Sequence, residues 1–332
     1  MRKTKILKNP PAFISYASAA GYEEHRGPLG CKFDFHDETD LFGSDSWEKA
    51  EGELAHTVLS LALKKGGISE QDVEVLFAGD LQNQCVASSS GLYNFGIPYL
   101  GLYGACSTCT EALLLSSLYL ETSEGDTIAA AVTSSHYCAA ERQFRTPLEY
   151  GGQRTPTAQW TATAAGAFLL GRKESGVRIT EIMPGKMIDS GICDASNMGA
   201  AMAPAAADSI FSFFSDEKHD ISSFDRIVTG DLGDTGSLFL HELLSKDGID
   251  IRDKHEDCGL LLYDRNAQDV HSGASGCGCS ASVLAAHYLP MLEKRELKKI
   301  LFMSTGALMS PSSVQQRIPI FGICPAVVIE SD

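Results

Sequence analysis

The chain has 332 residues, 44% hydrophobic and 21% charged, an ordinary globular composition with length enough for a large core. Its net charge of −16 argues against nucleic acid as a partner, because phosphates call for clustered Lys and Arg, and against loose attachment to anionic lipid. The basic start leads into Pro10 and Pro11 rather than an apolar leader, and no apolar run nears the ~20 residues of a membrane helix. Most of the ten cysteines are therefore expected to be buried thiols, in a reducing compartment.

Residues 1–45 read as irregular, rich in Gly, Asp and aromatics. Ser46 stands at the N-cap of a helix whose Trp47, Ala50, Leu54, Val58, Leu61 and Ala62 keep a helical period, closed by Gly66 and Gly67. Residues 73–78 form a short buried strand, and 92–103 a glycine-punctuated approach to Cys106. The stretch 107–121 is apolar nearly all round, as in a buried central helix, and 127–133 follows as a buried strand. Strand, helix, strand in sequence implies a parallel crossover. Residues 141–160 make a polar loop of a size that is often functional, and a strand near 165–170 ends the first half. Beyond it, 190–207 leads into a helix with Pro204 near its start. Strands are expected at 226–229, 258–263, 299–304 and 324–330, and a helix at 280–294.

Three landmarks recur in the same order. Ala78-Gly79-Asp80-Leu81 matches Thr229-Gly230-Asp231-Leu232, Gly104-Ala105-Cys106-Ser107 matches Gly276-Cys277-Gly278-Cys279-Ser280, and Thr133-Ser134-Ser135 matches Ser304-Thr305-Gly306. This is the pattern of a duplicated α/β unit, here divided as 1–185 and 186–332, packed as one body because no linker composition separates the halves.

Cys106 precedes the buried helix, where free N–H groups favour a thiolate, so it reads as a nucleophile, a metal ligand or a binding-site wall. Cys106 and Cys109 also form a Cys-x-x-Cys, a weak redox or zinc signal, since Cys277 and Cys279 match zinc spacing poorly; no metal site is expected. His136 and Ser135 end the strand at 127–133, where ligands bind in α/β sheets. Asp80 and Asp231 are equivalent in the repeat, each able to orient a ligand or cap the next segment, with capping preferred for Asp231. Arg142, Arg145 and Arg154 gather positive charge on one loop and suit a carboxylate ligand, or pair with Glu141 and Glu149.

Two halves that each carry Gly-x-Cys-Ser or its like before a central helix resemble the thiolase and ketosynthase superfamily. A closer resemblance, to the stage V sporulation protein AD family of spore-forming bacteria, covers nearly the whole chain. It rests on Gly27-Pro-Leu-Gly30, Ala78-Gly-Asp-Leu81, Gly104-Ala-Cys-Ser-Thr108, Thr133-Ser-Ser-His136, Ala140-Glu-Arg-Gln-Phe-Arg145 and Glu149-Tyr-Gly-Gly-Gln153. It continues through Ala201-Met-Ala-Pro-Ala-Ala-Ala-Asp208, Asp257-Cys-Gly259, Ser275-Gly-Cys277 and Ser304-Thr-Gly-Ala-Leu308. The resemblance implies a thiolase-like αβαβα five-layered fold and a homodimer. It also implies a role in moving dipicolinate (pyridine-2,6-dicarboxylate) into the developing spore, with membrane proteins of the same transport operon as partners. The protein itself would be soluble, cytoplasmic or peripheral to the spore inner membrane.

The superfamily's enzymes place a histidine where this chain reads Gly230 or Asp231. A non-catalytic binder of dipicolinate or its calcium chelate is therefore expected, with Cys106, Ser135, His136, Asp80, Arg142, Arg145, Arg154 and Cys277 around the ligand. No cofactor is expected beyond calcium entering with it. The alternative is an acyltransferase using Cys106, for which no base is positioned.

Overall fold

The structure is a computed structural model, and it describes residues 4–151, 153–215 and 219–332. The first three residues of the basic start and Gly152 of the 141–160 loop lie outside the described residues. Ten strands form the main sheet path: β1 (Ala12–Ala20), β2 (Val73–Gly79), β3 (Tyr99–Leu102), β4 (Ile128–Ser135), β5 (Ala164–Gly171), β6 (Val177–Met183), β7 (Arg226–Thr229), β8 (His255–Asp257), β9 (Lys299–Met303) and β10 (Ala326–Ser331). Their spatial order is β8-β7-β9-β10-β6-β1-β5-β4-β2-β3.

The two halves of that order are images of one another, each strand of the first set answered by the strand five places on. Both hold a parallel core (β3, β2, β4; β8, β7, β9) and two antiparallel strands, and they meet where β1 pairs with β6 at Ala12↔Arg178. All three repeated sequence landmarks fall at matching points, so the duplication read from sequence is a structural one. By position in the sheet β6 opens the second set, just ahead of the 185/186 division.

Seven helices frame the strands: α1 (Trp47–Gly66), α2 (Val86–Leu92), α3 (Thr108–Thr122), α4 (Tyr137–Glu141), α5 (Met198–Phe214), α6 (Gly233–Lys246) and α7 (Cys277–Val283). Three apolar cores alternate with the two strand sets. One lies under α1 and α2, one holds α3 and α7 between the sets, and one lies under α5 and α6. Helix, strand, helix, strand, helix is the αβαβα arrangement. Small residues allow the central layer to close: a Cβ on Gly166 of β5 would stand 2.7 Å from the Ala281 carbonyl of α7.

Several expectations need correction. Residues 1–45 are not wholly irregular, because β1 is a central strand. Buried on both faces and rich in Ala and Ser, it lacks the alternation that marks a half-buried strand. The strand expected at 258–263 is instead β8 followed by a helical turn, Cys258–Leu261; short apolar runs do not distinguish strand from helix. Pro204 lies inside α5, not near its start. The last long helix begins at Cys277 and passes through a π turn at Leu284–Tyr288 before Leu289–Glu293. Strand β6 and helix α6 had no sequence counterpart. Ser46 does hold the N-cap position of α1, without a side-chain capping bond, and Gly67 closes it at φ 63°.

Candidate functional site

Cys106 sits on the turn into α3, set by Ala105 at φ 51°, a left-handed conformation rare outside glycine. The turn is locked between the halves: a Cβ on Gly306 would stand 2.4 Å from the Gly104 carbonyl oxygen. Cys106 is 4% exposed, and its thiol faces the carboxyl of Asp231 near the N–H groups of Gly276 and Ala307. Asp231 is fully buried; its Oδ2 accepts from Gly276 N at 2.9 Å and its Oδ1 from Thr305 Oγ1 at 2.8 Å.

The capping role preferred for Asp231 is thus overturned. The N–H groups of Leu232 and Gly233 belong to Asp257, at 2.8 and 3.0 Å, which leaves Asp231 to turn toward the cysteine. Burial pushes the Asp231 carboxyl up to about 7. Burial, then the charge and bond of Asp231, push the Cys106 thiol well above its ordinary range, against the milder pull of the two N–H groups. The carboxyl is the stronger acid of the pair, so it ionises first and its charge opposes the thiolate. A nucleophile needs a neighbour that takes its proton and then stabilises the anion; this neighbour does the reverse.

Two cavities flank the segment from α4 to Arg145. On one side is a narrow space of about 110 Å³ above Cys106, lined by Leu81, Tyr103, Glu141, Phe144, Met198 and Met309 among others, with no Lys or Arg in its wall. On the other is a cavity of about 650 Å³ walled by Trp47, Tyr137, Trp160 and Pro147, with Arg142, Arg145, Arg154, Glu149 and Asp269 at its polar points. Glu141 joins the two, accepting from Thr161 Oγ1 at 3.1 Å and from Arg145 Nε at 3.3 Å.

In the larger cavity Tyr137 and Trp160 stack at 3.8 Å, and the Arg154 guanidinium lies 4.6 Å from the Trp160 ring centre. Arg154 bonds the Asp269 carbonyl and pairs with its carboxylate at 3.4 Å, while its Nη1 is buried without a partner. Arg142 pairs with Glu48 at 2.5 Å over Trp47, and Arg145 holds Tyr137 Oη at 2.9 Å and the Leu148 carbonyl. Only Arg145 pairs within the loop, through Glu141; the other two reach partners from elsewhere in the chain.

The remaining sequence candidates lie outside both cavities. His136 is fully buried, its Nε2 2.8 Å from the Asp40 carbonyl, and burial lowers its pKa. Ser135 donates to the Ala162 carbonyl at 2.7 Å and accepts from Gly278 N at 3.2 Å. The Cys277 thiol donates to the Ser134 carbonyl at 3.0 Å. Asp80 is the capping member of the repeated pair, accepting from Gln82 N at 2.8 Å and from the N–H and hydroxyl of Ser88, both at 2.7 Å.

Sequence reading passed over a set of buried carboxyls. Glu24 accepts from Tyr263 Oη and, at 3.0 Å, from Thr163 N; its Oε2 has no partner, and burial pushes it up to about 8. Glu51, fully buried in α1, takes a bond from Gln82 Nε2 at 2.7 Å and is pushed well up by burial and by Asp80. Glu51 was detectable as an acid one turn before Leu54 and Ala55 on the apolar face of α1; nothing local marks Glu24.

The sequence profile of the stage V sporulation protein AD (SpoVAD) family matches residues 1–330. Stage V sporulation protein AD of Bacillus subtilis (strain 168) is 40% identical over 329 residues, 99% of this chain and 97% of that protein. Among solved structures, the fold is similar to AbyA1, a tetronic acid condensing enzyme (TM-score 0.59, 14% identity, 97% of this chain and 100% of that one). It is similar too to 3-oxoacyl-[acyl-carrier-protein] synthase III from Aquifex aeolicus VF5 (0.59, 10%, 96% and 99%) and to acetamide-bound Xanthomonas campestris OleA (0.61, 13%, 98% and 99%). These likenesses fix the thiolase-like fold.

Proposed function

The chain belongs to the stage V sporulation protein AD family, and from that premise we propose that it is a non-catalytic binding protein for dipicolinate, free or as its calcium chelate, serving its uptake into the spore. The observation that carries the reading is the fully buried carboxyl of Asp231 facing Cys106 where a base would be needed, its oxygens held by Gly276 N and Thr305 Oγ1.

The larger cavity supports the ligand assignment. Small-molecule pockets run to roughly 300–1,000 Å³, a range that takes in the arginine cavity at about 650 Å³ and leaves out the cysteine cavity at about 110 Å³. A flat aromatic dicarboxylate suits indole and phenol walls, and its carboxylates suit the guanidinium groups of Arg142, Arg145 and Arg154 on the same wall. Calcium takes six to eight oxygens, so a chelated ion keeps sites for Glu149 and Asp269 on the same wall. Cys106, Ser135, His136, Asp80 and Cys277 then act as scaffold rather than as contacts.

Calorimetry with dipicolinate, with and without calcium, tests both parts. Saturable binding is expected in the wild-type protein and in Cys106→Ala, weakened by ~10–100-fold in Arg154→Gln, where a charge-assisted pair is lost. Absence of binding at millimolar ligand overturns the function. A loss in Cys106→Ala as large as in Arg154→Gln overturns the location.

No described helix is long and apolar enough to cross a membrane, so transport would run through the membrane proteins that the family resemblance implies. We propose the homodimer along β3, an edge strand exposing Tyr99 and Leu100, at 37% and 49%, beside an open row of backbone bonds. Leu100→Lys is expected to convert dimer to monomer in light scattering; a wild-type monomer at working concentration would end the idea.

A further inference from the structure

We propose a divalent transition-metal site at His25, His36 and Glu38, on the segment that braces α4 and away from both cavities. One ligand atom from each residue lies within 4.8 Å of the other two, the single such group of His, Cys, Asp and Glu among the described residues. His25 ends the helical turn Tyr22–His25, and His36 belongs to a two-residue strand paired parallel with the end of β1 at Ala20↔His36. The two rings are parallel, 3.5 Å between centres, and His36 Nε2 lies 3.0 Å from Glu38 Oε1.

The hydrogen bonding prepares His25 as a ligand. Its Nδ1 faces the Gly30 carbonyl at 3.2 Å, and a carbonyl only accepts, so Nδ1 carries the hydrogen and Nε2 keeps its lone pair. Such a backbone partner on the far nitrogen is the usual support of a metal-bound imidazole. That loop is itself closely folded: a Cβ on Gly30 would stand 1.7 Å from the His25 carbonyl oxygen. His25 and His36 are half-buried and Glu38 exposed, so an ion reaches them without opening the core.

The donor set selects the ion. Two imidazole nitrogens and one carboxylate oxygen suit zinc and its neighbours, with water completing the shell, whereas calcium and magnesium seek oxygen-only sites. The consequence is mechanical. Tyr22 N donates to Asp40 Oδ1 at 2.6 Å and His136 Nε2 donates to the Asp40 carbonyl at 2.8 Å, so the segment 22–40 holds the residue that starts α4. An ion joining its two arms would fasten the partition between the cavities.

The test is calorimetric titration of Zn²⁺ alone into the full chain at neutral pH, beside thermal melts. One site per chain is expected, micromolar or tighter, with a rise in Tm. The affinity should fall by about 100-fold in His36→Ala and about tenfold in Glu38→Gln, and stay unchanged in His271→Ala, an imidazole elsewhere. Co²⁺ in place of Zn²⁺ should give a spectrum without thiolate charge transfer, which separates this site from the exposed Cys31 and Cys193. Absence of saturable binding, a thiolate band, or full binding by a folded His25→Ala, His36→Ala double variant would overturn the proposal. The variants' melts without metal report whether each still folds.

Discussion

Asp231→Asn should make Cys106 alkylate about ten times faster at pH 7.5, while the wild-type thiol stays nearly inert. The amide keeps its oxygen for Gly276 N–H, can donate its NH2 to Thr305 Oγ1, and removes the charge that faces the sulfur. Losing a carboxylate at hydrogen-bond range lowers a neighbouring acid's pKa by roughly 1–3 units. The thiolate population rises accordingly, and its lower intrinsic nucleophilicity returns about half of the logarithmic gain. Peptide mass spectrometry after iodoacetamide reads Cys106 separately from the exposed Cys31 and Cys193. The same protein mixed with acetyl-CoA should keep its mass. Rapid alkylation of wild-type Cys106, or an acetyl adduct, would restore the acyltransferase reading.

The duplication was legible because it is written in short exact contexts: Ala78-Gly79-Asp80-Leu81 and Thr229-Gly230-Asp231-Leu232 end β2 and β7. The fates of the two aspartates were not. Asp80 faces the N–H groups of Gln82 and Ser88, whereas those after Asp231 are claimed by Asp257, a residue on another strand 26 positions away. Only the fold brings Asp257 there, so no local pattern distinguishes a cap from a partner of Cys106.

The arginines show the same limit. Their clustering on 141–160 was visible, but Glu48 on α1 and Asp269 beyond β8 decide which guanidinium keeps a free edge. Helices were read well where one face is apolar, as in α1, or where all faces are, as in α3. Strand β1 was missed because burial on both sides erases the period-two signal. His25 and His36 are 11 residues apart without a spacing that suggests ligation, and they meet only because β1 carries His36 back to the turn.

Stability should fall as pH rises from about 6.5 to 8.5, by about 2 kcal/mol from Glu24 alone, enough to lower Tm by several degrees. Glu24, held up at about 8, and Glu51, well above its ordinary value, stay protonated in the folded chain where the unfolded chain has already ionised both. Through that window the folded state binds more protons, so each pH unit costs about 1.4 kcal/mol per group until the folded carboxyl also ionises. Asp231 at about 7 adds to the first part of the fall. Histidines set the acid side: burial depresses His136 and holds His255 at about 3, so below about 6.5 the unfolded chain takes up protons that the folded chain refuses. The same carboxyls stay protonated in the fold down to the unfolded carboxyl range near 4.5 and there offset the histidines, so the maximum lies between about pH 4.5 and 6.5. Glu24→Gln and Glu51→Gln should flatten the alkaline limb and move the maximum up toward neutral pH in urea melts at constant ionic strength. A wild-type protein that grows more stable from pH 6.5 to 8.5 would mean that these carboxyls are ionised in the fold. Asp231 could then not be read as a partly protonated neighbour of Cys106 either, since its position rests on the same burial.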